Sequence, residues 1–524
     1  MEPLVIRVLW YLLIIGACML FGVYWYFTCT FGYWKKKGVP HLKPEPFFGN
    51  MKELTLLRTS LPELFQKIYH QFESHRYAGV YQSRVPSLMI RDPELIKSIL
   101  VKDFQHFPHR GLKVDENRDP LSANLFNLGG YKWRMLRTKI SPTFTSGKMK
   151  MMFQLIEECA QQLREYLAEP AEKEREVEMK EILAKFTTEV IGTCAFGLQF
   201  NAIEDPHSEF RRMGRAVFKP TLMSNVRRFT LAFIPELAKI FNISFITKDV
   251  TDFFLKAVKE TVTYREENNI RRNDFLQLLI DLKNKGHLDG DNELDKSKET
   301  SEVSKESEDK FELSDNLLAA QVFLFFLAGF ETSSTTMSFC LHELAVNPDI
   351  QTKLQEEIDS FSAESGGKIT YDGIHKMQYL DKVVSETLRK YPPVPILVRE
   401  CTEPYRIPDS DLTVEKGNRI LIPVYAIHHD PKIYPEPKRF DPDRFTEEKI
   451  SQRHHYSYLP FGEGPRICTG MRFGILQTKI GLVSLLSMYE FSVCSKTVIP
   501  VRIDPKTIVT SPIDGNWLKI RRRN

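Results

Sequence analysis

None of the eight cysteines stands at a C-x-x-C spacing, and no histidines cluster at the intervals of a zinc site. That argues against a disulfide-stapled or zinc-built architecture. It fits reduced, mostly buried thiols, as expected on the cytosolic side of a cell. An excess of one charge is also missing: 72 Lys and Arg against 68 Asp and Glu leave +4. General nucleic-acid binding would need a stronger basic face, although a local basic patch could still dock an acidic partner. There is no βαβ rhythm, no internal repeat and no Gly-rich dinucleotide fingerprint. What the chain does have is length, 524 residues, enough to bury a large core with a cofactor inside it.

The N-terminus is the most apolar part. Val8 to Trp34 holds no charged residue, more than the ~20 residues a helix needs to cross a bilayer. It lacks the short core and small-residue cleavage site of a signal peptide. Tyr33-Trp34 reads as an interfacial pair and Lys35-Lys36-Lys37 as a positive cytosolic flank, so 1–37 is expected to anchor a cytosolic body. Pro40, Pro44 and Pro46 make 38–50 a stiff connector holding the body, 51–524, off the membrane.

Within the body, helical apolar spacing predicts helices over Met149–Leu167, Val177–Phe196, Ile374–Lys390 and Arg472–Met488, and one long helix over Asp315–Leu344. Strand-like runs are short: Val80–Ile90, Tyr405–Ile407 and Arg419–Pro423. Lys283–Asp315 is polar and without period, a solvated loop. The expected fold class is therefore mainly α with a small β portion.

The chemistry concentrates in Pro460-Phe461-Gly462-Glu463-Gly464-Pro465-Arg466-Ile467-Cys468-Thr469-Gly470. Two glycines ahead of a cysteine allow a tight loop. The helical run that follows would aim backbone N–H groups at the sulfur, lowering its pKa. A thiolate there is a strong donor to a haem iron, and Arg466 could reach a haem carboxylate.

This F-x-x-G-x-R-x-C-x-G pattern resembles that of the cytochrome P-450 superfamily. Its wording is most similar to the microsomal, membrane-anchored branch and to insect enzymes that oxidise xenobiotics. Thr469 departs from the aliphatic residue usual there. Other stretches match in family order. Glu386-x-x-Arg389, alone a surface helix pair, joins Arg444 of Phe440–Phe445 in what the resemblance implies is a buried structural network. Ala328-Gly329-Phe330-Glu331-Thr332-Ser333 resembles the family's oxygen-activating turn, with Glu331 and Thr332 as its catalytic pair. Read alone, Thr332 would bond back to its own helix. Trp133 and Arg137, one turn apart, resemble clamps on a haem propionate; Arg399 resembles another, and Phe461 a haem contact.

The resemblance thus implies a P-450 fold over 51–524, holding haem b through Cys468, the metal ligand. It implies a monooxygenase that inserts one atom of dioxygen into lipophilic substrates such as xenobiotics, insecticides, plant toxins or steroids. Electrons would come from NADPH through cytochrome P-450 reductase, with cytochrome b5 as an optional second donor, at the endoplasmic reticulum membrane. Apolar walls would come from Phe104, Phe107, Phe210–Val217, Ile243–Ile246, Phe326, Phe330 and Val394–Leu397, although each would serve equally well as core. Two other readings stay open: a haem-thiolate isomerase or dehydratase, for which the Glu331–Thr332 pair is superfluous, and a non-enzymatic haem sensor.

Overall fold

A computed structural model describes residues 2–523, apart from 113, 199, 206–207, 219–220, 273, 286–312, 365 and 367. Most of the polar stretch expected to be a solvated loop lies outside the described residues.

The first helix, α1 (Glu2–Thr28), is long and apolar enough to span a bilayer, and the body meets it at its end, where Phe27 packs on Phe47 and Arg84 lies over Tyr26. The aromatic pair after it behaves differently from expectation. Trp34 is fully buried and donates its indole N–H to the Val80 carbonyl at 3.3 Å. It belongs to the core of a β-rich subregion rather than to a membrane interface. Gly79 makes this possible, because a Cβ there would lie 2.5 Å from the indole. The proline-rich stretch that follows is laid along the sheet, with bridges from His41 to Gly79 and from Gly49 to Gln82.

That sheet contains β1 (Tyr77–Gln82), β2 (Val85–Ile90), β4 (Leu397–Glu400) and β7 (Arg419–Ile422) in the order β1-β2-β7-β4. The single run expected over Val80–Ile90 is a hairpin, turned at Ser83 with φ 54°. A second sheet pairs β3 (Glu176–Glu178), β9 (Trp517–Arg522) and β8 (Tyr489–Ser492); β5 (Tyr405–Arg406) and β6 (Thr413–Val414) form a small ribbon. β3, β4, β8 and β9 carry no clear strand signal in sequence, being short and paired with distant partners.

Helices make up the rest. Those that build the site are α2 (Gly130–Ile140), α3 (Ser146–Glu172), α4 (Met179–Ile191), α5 (Glu209–Phe218), α6 (Lys248–Glu267), α7 (Asp315–Val346), α8 (Gln378–Lys390), α9 (Val424–His428) and α10 (Met471–Leu486). The helix expected over Ile374–Lys390 is interrupted at Met377, whose extended ψ of 91° breaks the turn before α8. α7 is the axis of the fold. Ser314 caps it by accepting the Leu317 N–H, and it packs against α4, α10, α6 and α8. Like α1 it could span a bilayer by length and composition, but 61% of its apolar window is buried inside the protein. Apolar on nearly all sides, it is a core helix.

Behind α8 lies a fully buried ionic network. Arg389 grips Glu386 with Nε at 2.6 Å and Nη2 at 2.9 Å, and Arg444 Nε approaches the same carboxylate at 3.5 Å. The Asp441 N–H donates to it at 2.9 Å, and Arg389 also donates to the carbonyls of His428 and Pro437. Few uncompensated lone pairs remain, as such a buried pair requires.

Three histidines, His342, His428 and His429, are buried in this region. Burial first, and for His428 and His429 the nearby Arg389 second, holds their imidazoles below the ordinary 6.5, to about 3 for His428. The folded chain therefore refuses protons that the unfolded chain accepts. Their contribution is undiminished above pH 6.5 and is lost as pH falls through each folded pKa, for His428 progressively toward 3. Unfolding free energy should drop between pH 6.5 and 4.5, by as much as ~1.4 kcal/mol per pH unit for each of His428 and His429. His429→Gln should make that slope shallower by one proton; an unchanged slope would show that His429 does not contribute.

Candidate active site

The loop entering α10 is shaped by its glycines. Gly462 and Gly464 have φ of 72° and 73°, and a Cβ on Gly464 would sit 1.9 Å from the Leu100 carbonyl oxygen. Only glycine fits there. The loop closes where the Cys468 N–H donates to the Phe461 carbonyl at 3.0 Å. Cys468 lies just ahead of α10, and the Gly470 N–H faces its sulfur.

The thiol is open to a cavity yet deep in the protein. This alters the expected acidity. Burial raises its pKa, and the Gly470 N–H, Arg110 and Arg137 oppose that rise without overcoming it. Helix-start amides alone do not make a thiolate here; a bound cation at the sulfur would.

Above the sulfur the cavity runs between the cysteine loop and one face of α7. Ala328, Gly329, Thr332, Ser333 and Thr336 line one side, and Phe461, Arg466, Thr469 and Phe473 the other. Thr332 donates its hydroxyl to the Ala328 carbonyl at 2.7 Å, which leaves its oxygen able to accept. Gly329 also matters on its other side, where a Cβ would meet Ile191 of α4 at 2.4 Å. Its smallness lets two helices approach each other as well as opening the cavity.

Glu331 does not share that face. Its carboxylate pairs with Lys180 of α4 at 2.9 Å, and Lys180 also donates to Ser334 at 2.9 Å. The ion pair with Lys180 holds the Glu331 carboxylate against α4, off the strip of α7 that lines the cavity. The expected acid–threonine pair is thus split, with only Thr332 lining the cavity.

Guanidinium groups dominate the rim. Arg110, Arg137 and Arg466 line the cavity, and Arg399 is buried beside Arg110 and Arg466. Among the described residues none of the four has an ion-pair partner. Arg466 donates to the carbonyls of Pro108 at 2.9 Å and Leu128 at 2.7 Å and stacks on Trp133 at 4.0 Å. Arg137 donates to the Ile467 carbonyl at 2.9 Å and to the Thr469 hydroxyl. The unusual Thr469 thus has a partner that an aliphatic side chain would not supply. Among the described residues the buried Arg399 Nε has no acceptor.

Burial, then repulsion from neighbouring guanidinium groups, pushes the pKa down to about 8 for Arg466 and about 9 for Arg399; burial lowers it at Arg110 and Arg137 as well, opposed by Cys468. Guanidinium does not shed its proton readily. Such a cluster therefore calls for an anion, and two carboxylates on one ligand would supply it. Arg110 is absent from the expected set: a lone arginine in a loop carries no pattern, and only the fold brings it beside Arg466, whose carbonyl it holds at 3.2 Å.

The apolar walls also differ from expectation. Val394 and Leu397 line the cavity, together with Leu125, Phe126, Phe144, Phe275 and Phe325. Phe326 and Phe330 point the other way, fully buried in a ring cluster with Phe196, Phe210 and Phe254. Phe104 rests on Trp133, Phe107 packs on Tyr405 in the β-rich core, and neither these nor residues 210–217 and 243–246 line the cavity.

The cytochrome P450 (P-450) family model matches residues 39–519. The chain belongs to the cytochrome P-450 family. It is 43% identical to cytochrome P-450 6k1 of Blattella germanica over 96% of this chain and 95% of that protein. It is 44% identical to probable cytochrome P-450 6a14 of Drosophila melanogaster over 94% and 96%, and 41% identical to cytochrome P-450 6A1 of Musca domestica over 97% and 96%. The expected family and its insect affinity are thus both borne out. As a cytochrome P-450 the chain is a haem-dependent monooxygenase that takes electrons from a redox partner and acts on lipophilic substrates.

Proposed function

We propose that this P-450 is a membrane-anchored oxidase of lipophilic foreign compounds, holding haem b through Cys468 and drawing electrons from NADPH by way of cytochrome P-450 reductase. One observation carries the reading: an open cysteine lies at the floor of an apolar slot whose rim holds unpaired guanidinium groups. A flat apolar macrocycle with two carboxylates and a thiolate-seeking metal fits that donor set. Arg110, Arg137, Arg466 and Trp133 would take the carboxylates, with Arg399 behind them, and Phe461 would flank the ring. Once bound, the haem supplies the activation of dioxygen, favoured by thiolate donation.

The chain's own groups do the rest. Phe126, Val394 and Leu397 exclude water and accept an apolar substrate. Thr332 holds a proton at the α7 face of the slot. Glu331 serves as the acid behind it, and Lys180 sets how freely that carboxylate moves. α1 anchors the protein in the endoplasmic reticulum membrane, and the body faces the cytosol beside three lysines. Arg134 faces outward on α2, whose inner side holds Trp133 and Arg137, and with Lys132, itself paired with Glu116 at 2.6 Å, offers the acidic reductase a docking face; cytochrome b5 could use the same face.

Turnover of a lipophilic panel with reductase, NADPH and isotopically labelled dioxygen tests this. Incorporation of one labelled atom per product is expected; product formed without NADPH and dioxygen would point to the isomerase reading. Thr332→Val should lower product formed per NADPH consumed by about 100-fold, the lower range for a lost proton-transfer group. Unchanged coupling would remove Thr332 from the proton path.

A further inference from the structure

The cysteine loop leaves the body of the protein at Leu459, and one side chain meets it there. His428 ends α9 and is fully buried. The Leu459 N–H points at its Nε2 from 2.9 Å, so that nitrogen accepts and carries no proton. The ring proton therefore sits on Nδ1, 3.1 Å from the Arg389 carbonyl at the end of α8. Arg389 holds the carbonyl of His428 in return, at 2.9 Å. Tyr458 stacks on the ring with centroids 5.4 Å apart and places its hydroxyl on the Ser385 carbonyl at 3.0 Å.

The path from Leu459 to the thiol is short. The Leu459 carbonyl accepts the Gly462 N–H at 3.1 Å, and the Phe461 carbonyl accepts the Cys468 N–H at 3.0 Å. We propose that His428 is a positioning residue for Cys468, tying the start of the cysteine loop to the Glu386–Arg389 network and so fixing where the sulfur stands. The inference rests on Cys468 being the haem ligand.

Four substitutions in the haem-loaded full chain separate this role from general packing. His428→Gln can place an oxygen where Nε2 stands and accept the Leu459 N–H. His428→Asn reaches only the Nδ1 position. His428→Phe keeps the stack on Tyr458 but has neither polar atom. Ile427→Ala, in the same turn and equally buried, weakens packing but leaves the Leu459 N–H its acceptor.

The reduced protein is titrated with carbon monoxide, and its reduction potential is measured. Wild type, His428→Gln and Ile427→Ala should show the thiolate-ligated band. His428→Asn and His428→Phe should show about tenfold more of the neutral-thiol band, as expected for a buried N–H left without an acceptor, and a raised potential. If His428→Phe takes up no haem, the Asn-versus-Gln comparison decides. The proposal is overturned if Asn and Phe match wild type, or if Ile427→Ala shifts the spectrum as far as they do. Wild-type protein without a thiolate band would instead remove the ligand assignment on which the proposal rests.

Discussion

Replacing Glu386 with alanine is expected to cost roughly 3–5 kcal/mol, because it leaves charged guanidinium buried without a counter-ion. Arg389 would lose both of its carboxylate bonds and Arg444 its nearest anion. The Asp441 N–H would lose its acceptor as well. Few single domains tolerate such a loss. The variant should therefore express poorly, take up little haem and unfold at much lower denaturant. Glu386→Gln keeps an acceptor oxygen and should fall between the two. Denaturant midpoints of the three proteins check this; a loss under ~1 kcal/mol for alanine would mean that the network behaves like a surface pair.

The second large effect is expected at Arg466. Arg466→Leu removes a guanidinium from the cavity rim and should weaken haem retention by roughly 10–100-fold, the worth of a hydrogen bond to a charged group. The haem-free protein should respond differently. There the substitution relieves repulsion on Arg110 and Arg399, although the carbonyls of Pro108 and Leu128 lose a donor. Haem-free stability should consequently fall far less than haem retention. The rate of haem transfer to a scavenging protein, set beside thermal unfolding of both forms, separates the two effects. Equal losses in both would make Arg466 a packing residue only.

Much of the site is legible where neighbouring residues in sequence act together. The glycines of the cysteine loop, the α8 pair Glu386 and Arg389, and the apolar axis α7 each depend on spacings of a few residues. What cannot be read there depends on phase or on distant contacts. Glu331 and Thr332 are adjacent, and nothing local shows that Lys180 turns one of them away from the cavity. Phe325 lines the cavity while Phe326 is buried in the ring cluster, again a difference of one helical step. Arg110 comes to the rim, and Trp34 to the β-rich core, only once the sheet and its neighbouring loops have assembled. The acidity of Cys468 departs from expectation for a related reason: a backbone N–H is a local feature, whereas the burial that outweighs it belongs to the whole fold.

Thr469 shows how structure can give meaning to a sequence departure. Its hydroxyl accepts from Arg137, so the residue beside the sulfur is linked to a guanidinium on the rim. Thr469→Val should leave Arg137 with the Ile467 carbonyl alone and modestly loosen its hold on a carboxylate.

The central claim, that Cys468 gives its thiolate to a haem iron within this arginine cradle, is tested most directly by the carbon monoxide difference spectrum of the reduced protein. Wild type should show the thiolate-ligated Soret band, and Cys468→Ala should lose it. Persistence of that band in Cys468→Ala would contradict the claim.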